Sequence, residues 1–364
     1  MDTFLNALSF LERVGVRRPV NFAKTATCNR QTGSFYADTR LMRKLYLLLF
    51  CIACCFPAWA HKKITICGIT FKNVHLDPDP APIADFKTLV VPIKRAGNLI
   101  IVEATVDNLE GNFVLDTGAP YLVLNETYFR DAPRIEDEDA GGVNGQAGSA
   151  FKTYVRNFRI LDLQYSRLTA DVTDLSAIEN GRGIKVLGLL GTRLFSKFAL
   201  TIDLFHNELY VQRLDERNEI PETERIYRNP YMVTSFKYDN DVVFMKGAIN
   251  GHSFLFAFDT GAESSLLEYR ITKKTGEDME VISRSKLTGI GGSVFEVIYA
   301  RFDNLRIGNQ VFMKNRVLLT DLEKMGRVYG ASIDGVLGYD FFARGIFTIN
   351  FAKKEFEMYI YTNQ

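Results

Sequence analysis

From about residue 86 onward the chain is built of short apolar runs, rich in branched and aromatic residues and cut by polar turns. Leu89-Val90-Val91-Pro92-Ile93, Leu99-Ile100-Ile101-Val102 and Phe113-Val114-Leu115 are separated by Ala96-Gly97-Asn98 and Glu110-Gly111-Asn112. Runs this short, bounded by Gly and Asn, predict strands; a helix needs apolar positions three and four apart over a longer stretch. Val242-Val243-Phe244-Met245 and Phe254-Leu255-Phe256-Ala257-Phe258 predict strands in the second half. Segments 191–198 and 338–344 predict short helices. Many short strands with glycine-rich turns imply an all-β chain, folded as a barrel or a sandwich.

The pattern occurs twice. Val106-Asp107-Asn108 through Leu115-Asp116-Thr117-Gly118-Ala119 has a counterpart in Ile249-Asn250-Gly251 through Phe258-Asp259-Thr260-Gly261-Ala262, 143 residues later. Gly188-Leu189-Leu190-Gly191 then matches Gly335-Val336-Leu337-Gly338, and Leu200-Thr201-Ile202-Asp203 matches Phe347-Thr348-Ile349-Asn350, 147 residues later. A weaker pair lies between, Gly142-Val143-Asn144-Gly145 against Gly289-Ile290-Gly291-Gly292. Matching blocks in one order mean two copies of one domain, placed at 86–213 and 230–364. Between them 214–229 (LDERNEIPETERIYRN) is charged and poor in apolar residues, and reads as an exposed linker.

The first sixty residues have a different character. Met42 is followed by Arg43 and Lys44, then an apolar run from Leu45 to Phe56, then Ala58-Trp59-Ala60, a small-x-small cleavage site. This is the pattern of a secretory signal peptide at 42–60. The run is shorter than the ~20 residues that span a bilayer, so no stable membrane anchor is expected after cleavage. Cys51-Ile52-Ala53 ahead of Cys54 fits a lipobox poorly. Residues 1–41 read as an upstream extension outside the fold, and 61–85 as a lead-in. The expected location is the periplasm or the outside of the cell.

Composition narrows the function. Lys+Arg number 44 against 43 Asp+Glu, a net charge of +1, which argues against a nucleic-acid partner bound through bulk positive charge. Five cysteines in 364 residues are too few for a disulfide scaffold, and cleavage after Ala60 leaves Cys67 alone. No HExxH-type zinc motif, Gly-x-Ser-x-Gly elbow or P-loop is present, and no metal or cofactor is expected. His252 reads as a solvated turn residue.

The candidate chemistry lies in the duplicated Asp-Thr-Gly. One such tripeptide is an ordinary turn after a strand; two in equivalent places of a duplicated domain are not. Duplicated domains that pack about a pseudo-twofold axis bring equivalent residues face to face, making Asp116 and Asp259 a carboxylate pair. Two like charges in contact cannot both ionise easily, so such a pair holds one proton over a range of pH. The ionised member then takes a proton from water and the protonated member donates to the carbonyl oxygen under attack. Gly118 and Gly261 permit close backbone approach. Thr117 and Thr260 can hold the paired loops in register through their hydroxyls.

On these residues the chain resembles the retropepsin-like and pepsin-like aspartic proteases, in a bacterial exported form with both lobes in one chain. The resemblance spans roughly 86–364. It implies two homologous acid-protease-type β-barrel lobes with few short helices, related by a pseudo-twofold axis, and an aspartic endopeptidase with catalytic Asp116 and Asp259. It also implies that Leu189-Leu190-Gly191 and Val336-Leu337-Gly338 thread beside the catalytic loops in a ψ-shaped arrangement. A glycine-rich flap is expected at Gly142, Val143, Asn144 and Gly145 or at Gly289, Ile290, Gly291 and Gly292, although neither holds the tyrosine of pepsin-like flaps. A peptide or protein substrate would lie in the inter-lobe cleft of a monomer. Ala119 and Ala262 stand where pepsins carry Ser or Thr. Alanine cannot donate to a carboxylate, so the pH optimum is expected nearer 5–6 than 2. Alternatives are a non-catalytic peptide- or protein-binding module on the same fold, an unrelated duplicated β-protein, and a glycosidase, which would need carboxylates ~5–9.5 Å apart.

Overall fold

A computed structural model of the chain describes residues 80–137, 151–275, 279–288 and 294–360. The upstream extension, the signal peptide, most of the lead-in and both candidate flap tips lie outside the described residues. The architecture is mostly β, in two barrel-like lobes with few short helices.

The first lobe is built from Thr88–Ala96, Leu99–Val106 and Leu109–Leu115, an antiparallel meander, with Phe151–Ile160 and Leu163–Thr173 as a long hairpin beside it. The second repeats the plan with Val242–Ile249, His252–Phe258 and the hairpin Met279–Thr288 and Val294–Phe302. Thr88–Ala96 alternates between buried and exposed positions, because one face meets the core and the other meets water. Gly188–Leu190, Phe198–Asp203 and Gly345–Asn350 are buried at every position, because protein covers both of their faces. The helices predicted after the second glycine of each repeat are Thr192–Phe195, a tight 3-10 turn, and Tyr339–Phe342.

The lobes are joined by a six-stranded antiparallel sheet, in the order Met232–Ser235, Glu355–Ile360, Gly345–Asn350, Phe198–Asp203, Glu208–Arg213, Thr88–Ala96. At its centre Phe198–Asp203 pairs with Gly345–Asn350, its own counterpart in the repeat, with Thr201 opposite Thr348. Their hydroxyl oxygens are 2.7 Å apart in the buried interior. Matched residues that meet themselves mark the pseudo-twofold axis. One continuous hydrophobic cluster runs through both lobes, from Phe113 and Phe158 through Leu200 and Phe347 to Phe256 and Phe302.

Two expectations need correction. The end of the lead-in is part of the first lobe: Pro82–Ile83 pairs with Tyr165 and Gln164. The linker is exposed along much of its length, yet it is fastened to the joining sheet. Ile220 is buried, Arg225 reaches Glu357 at 3.0 Å, and the Tyr227 hydroxyl donates to Asp203 Oδ2 at 2.6 Å. Its charges suggested a solvated surface because composition does not reveal which of them have partners.

Asp203 anchors this attachment. It also meets His206 Nδ1 at 2.5 Å and accepts the backbone N–H groups of Phe205 and His206. Burial alone would raise its pKa; the hydrogen bonds from Tyr227, His206 and the two amides outweigh burial and hold it below the ordinary carboxylate value. A depressed carboxyl contributes stability above its unfolded pKa and loses that contribution as pH falls through the folded pKa. Asp203→Asn should therefore be less stable than wild type by about 2 kcal/mol at pH 7. The deficit should shrink as pH falls towards 3, read from urea unfolding across that range.

Candidate active site

Each Asp-Thr-Gly begins where a buried strand runs out. Leu109–Leu115 delivers Asp116, and His252–Phe258 delivers Asp259. Phe258 is wedged among Phe342, Phe347 and Phe356, its centroid 4.2 Å from that of Phe342, which fixes the end of the second strand. Each strand is flanked by a parallel partner, Gly188–Leu190 in the first lobe and Gly335–Leu337 in the second. Asp116 N–H donates to Leu190 C=O at 3.0 Å and Asp259 N–H to Leu337 C=O at 3.1 Å. The partner also pairs antiparallel with the strand leaving the loop, Leu122–Asn125 or Leu266–Glu268, so it passes between the two arms.

Gly191 and Gly338 end these partner strands against loop backbone. A Cβ on Gly191 would lie 2.2 Å from Tyr121 C=O, and one on Gly338 2.6 Å from Ala262 C=O, so no larger residue fits at either position. Beyond them, Thr192 N–H donates to Ala119 C=O at 3.0 Å and Tyr339 N–H to Ala262 C=O at 2.9 Å, closing the loops from behind.

The two loops meet through their threonines. Thr117 N–H donates to Thr260 Oγ1 at 3.1 Å, and Thr260 N–H to Thr117 Oγ1 at 3.0 Å. Each hydroxyl donates in turn to the carbonyl before the opposite aspartate, Thr117 to Phe258 at 3.0 Å and Thr260 to Leu115 at 2.8 Å. These four bonds are buried, related by the pseudo-twofold axis, and satisfy both hydroxyls as donor and acceptor. Thr117 and Thr260 thus join the two loops through their hydroxyls.

The glycines follow. Gly118 N–H donates to Asp116 Oδ1 at 3.0 Å and Gly261 N–H to Asp259 Oδ1 at 2.8 Å. A Cβ on Gly118 would lie 2.6 Å from Asp259 Oδ2, and one on Gly261 2.6 Å from Asp116 Oδ1. The carboxylate of each lobe is therefore packed against the glycine of the other, which brings Asp116 and Asp259 to one place at the lobe boundary. Both are almost wholly covered, at 2% and 0% exposure. Hydrogen bonds in such a low-dielectric setting are strong. Among the described residues, no group of three or more His, Cys, Asp or Glu side chains converges to hold a metal ion.

Three further features were not foreseen from sequence. Glu263, one residue past the second loop, forms a buried ion pair with Arg182 across the lobes and accepts Asn98 N–H at 3.4 Å. Arg193 stacks on Tyr121, its guanidinium carbon 4.9 Å from the ring centroid, and lies 4.0 Å from Asp241 of the second lobe. Tyr329, buried at 5% exposure, donates its hydroxyl hydrogen to Asp259 Oδ2 at 3.1 Å. A sequence signal for two of these existed: Thr173-Asp174-Leu175 through Gly183 parallels Thr320-Asp321-Leu322 through Gly330, and places Arg182 and Tyr329 at one position of the repeat. The candidate flap residues Gly142, Val143, Asn144 and Gly145 lie outside the described residues, as do Gly289, Ile290, Gly291 and Gly292. Below the second set the hairpin arms pair as far as Thr288 and Val294.

Two matched lobes, a strand threaded through each loop and a pair of facing aspartates define an acid-protease type of protein. The chain matches the family model described as aspartyl protease over residues 102–194 and 245–341, one match per repeat, and belongs to that family. No curated protein matches it.

Thr117→Val keeps the shape of the side chain but leaves Thr260 N–H and Phe258 C=O buried without their partner. It should destabilise the protein by about 2–5 kcal/mol in urea unfolding, while Thr117→Ser, which keeps the hydroxyl, stays within about 1 kcal/mol of wild type.

Proposed function

We propose that the protein is an exported aspartic endopeptidase, hydrolysing peptide bonds with a water activated between Asp116 and Asp259. The observation that carries this reading is the crossed threonine clasp, which packs each aspartate against the opposite catalytic glycine. A carboxylate pair sharing one proton supplies both catalysts that amide hydrolysis needs. The ionised carboxylate draws a proton from the attacking water, and the protonated one donates to the substrate carbonyl oxygen, stabilising the tetrahedral intermediate. The same pair then returns a proton to the leaving nitrogen. Neither a nucleophilic side chain nor an acyl-enzyme enters this sequence.

An extended peptide in the inter-lobe cleft would add backbone hydrogen bonds to the strands that line it. Because one chain contributes both aspartates, the site does not require a second copy. The signal-peptide pattern at 42–60 supports export to the periplasm or beyond.

The test uses residues 61–364, wild type beside Asp116→Asn and Asp259→Asn, with a diverse peptide mixture from pH 3 to 8 and mass spectrometry of the products. Wild type should make internal cuts, and each variant should lose at least about 100-fold in rate. Failure of the wild type to cleave at any pH would favour a peptide-binding module on the same fold.

A further inference from the structure

The pseudo-twofold symmetry is broken at one position beside the dyad. Arg182 and Tyr329 are matched in the repeat, each directly before a glycine in the left-handed region, Gly183 at φ +63° and Gly330 at φ +67°. In the first lobe the arginine pairs with Glu263 of the other lobe. In the second lobe the tyrosine turns onto its own aspartate and donates to Asp259 Oδ2.

Several contacts hold that hydroxyl in place. Tyr329 closes helix Glu323–Val328, with its N–H on Met325 C=O at 2.9 Å. Its carbonyl accepts the Asn240 side-chain amide at 3.3 Å, and its ring stands edge-on to Phe244 with centroids 6.5 Å apart. Charged groups on the surrounding elements have partners of their own. Asp241 lies by Arg193 and Glu263 by Arg182. Glu268 accepts Leu322 N–H, Asp334 accepts Leu255 N–H and Asp340 accepts Ser265 N–H. On the helix itself Glu323 pairs with Arg327. Asp116, on the opposite loop, is a second titratable group at the same place.

We infer that Tyr329 is a positioning residue that holds Asp259 as the carboxylate that activates water. A hydroxyl that donates to a carboxylate stabilises its ionised form. The expectation of an optimum at pH 5–6 assumed that Ala119 and Ala262 leave both carboxylates without a side-chain hydroxyl donor. Tyr329 supplies one to Asp259 from a different element, so the acid limb should lie lower than the alanines imply.

This inference deepens the proteolytic reading, and its test separates the two. Wild type and Tyr329→Phe, with aspartate carboxyl carbons labelled with carbon-13, are titrated by NMR from pH 3 to 8, alongside peptide cleavage over the same range. In Tyr329→Phe the step in which Asp259 takes up its proton should rise by about one pH unit, and the acid limb of kcat/KM should move with it. The plateau of kcat should fall about tenfold with KM little changed. An Asp259 titration unaltered by Tyr329→Phe in a folded protein would overturn the inference, whether or not the wild type cleaves peptides. A shifted titration in a protein that cleaves nothing would uphold it while overturning the proteolytic reading.

Discussion

The crossed hydrogen bonds of Thr117 and Thr260 are the constraint on which the site depends. Each threonine closes the other loop's backbone and caps the strand that delivers the other aspartate. A carboxylate pair is costly to assemble, since burial and like-charge repulsion both oppose it. The loops can hold it because their backbone polar groups are satisfied across the axis by neutral hydroxyls, so closeness does not depend on the aspartates attracting one another. The glycines then permit an approach that any side chain would prevent.

The same axis is fixed at a second place. Thr201 meets Thr348 at the centre of the joining sheet, where both strands are buried on both faces. With one self-pairing in the Asp-Thr-Gly loops and another in the joining sheet, the lobes have little freedom to rotate against each other. The fastened linker adds to this, since Asp203 and Glu357 on the sheet hold Tyr227 and Arg225. A duplicated chain gains freedom that a symmetric pair of identical subunits lacks: its two halves can differ. Arg182 and Tyr329 use that freedom beside the dyad, one serving lobe-to-lobe attachment and the other the carboxylate.

Much of this was legible in the sequence because the signals were local. The strand entering each Asp-Thr-Gly, the apolar-apolar-glycine strand and the duplication itself are short patterns with a fixed spacing. What the sequence did not show was partnership at a distance. Glu263 looks like a surface acid until Arg182 is found against it, 81 positions earlier. Tyr329 reads as one aromatic among many, and its relation to Asp259 across 70 positions exists only once helix Glu323–Val328 is packed on its lobe. Ile220, Arg225 and Tyr227 gave the linker a solvated look for the same reason.

The most direct measurement of the clasp and what it achieves is the separation of the Asp116 and Asp259 carboxylates in a crystal structure. The clasp predicts oxygens about 3 Å apart, close enough to share a proton, with the threonine bonds crossed between lobes. Carboxylates ~5 Å or more apart, or threonines bonded within their own lobes, would contradict it.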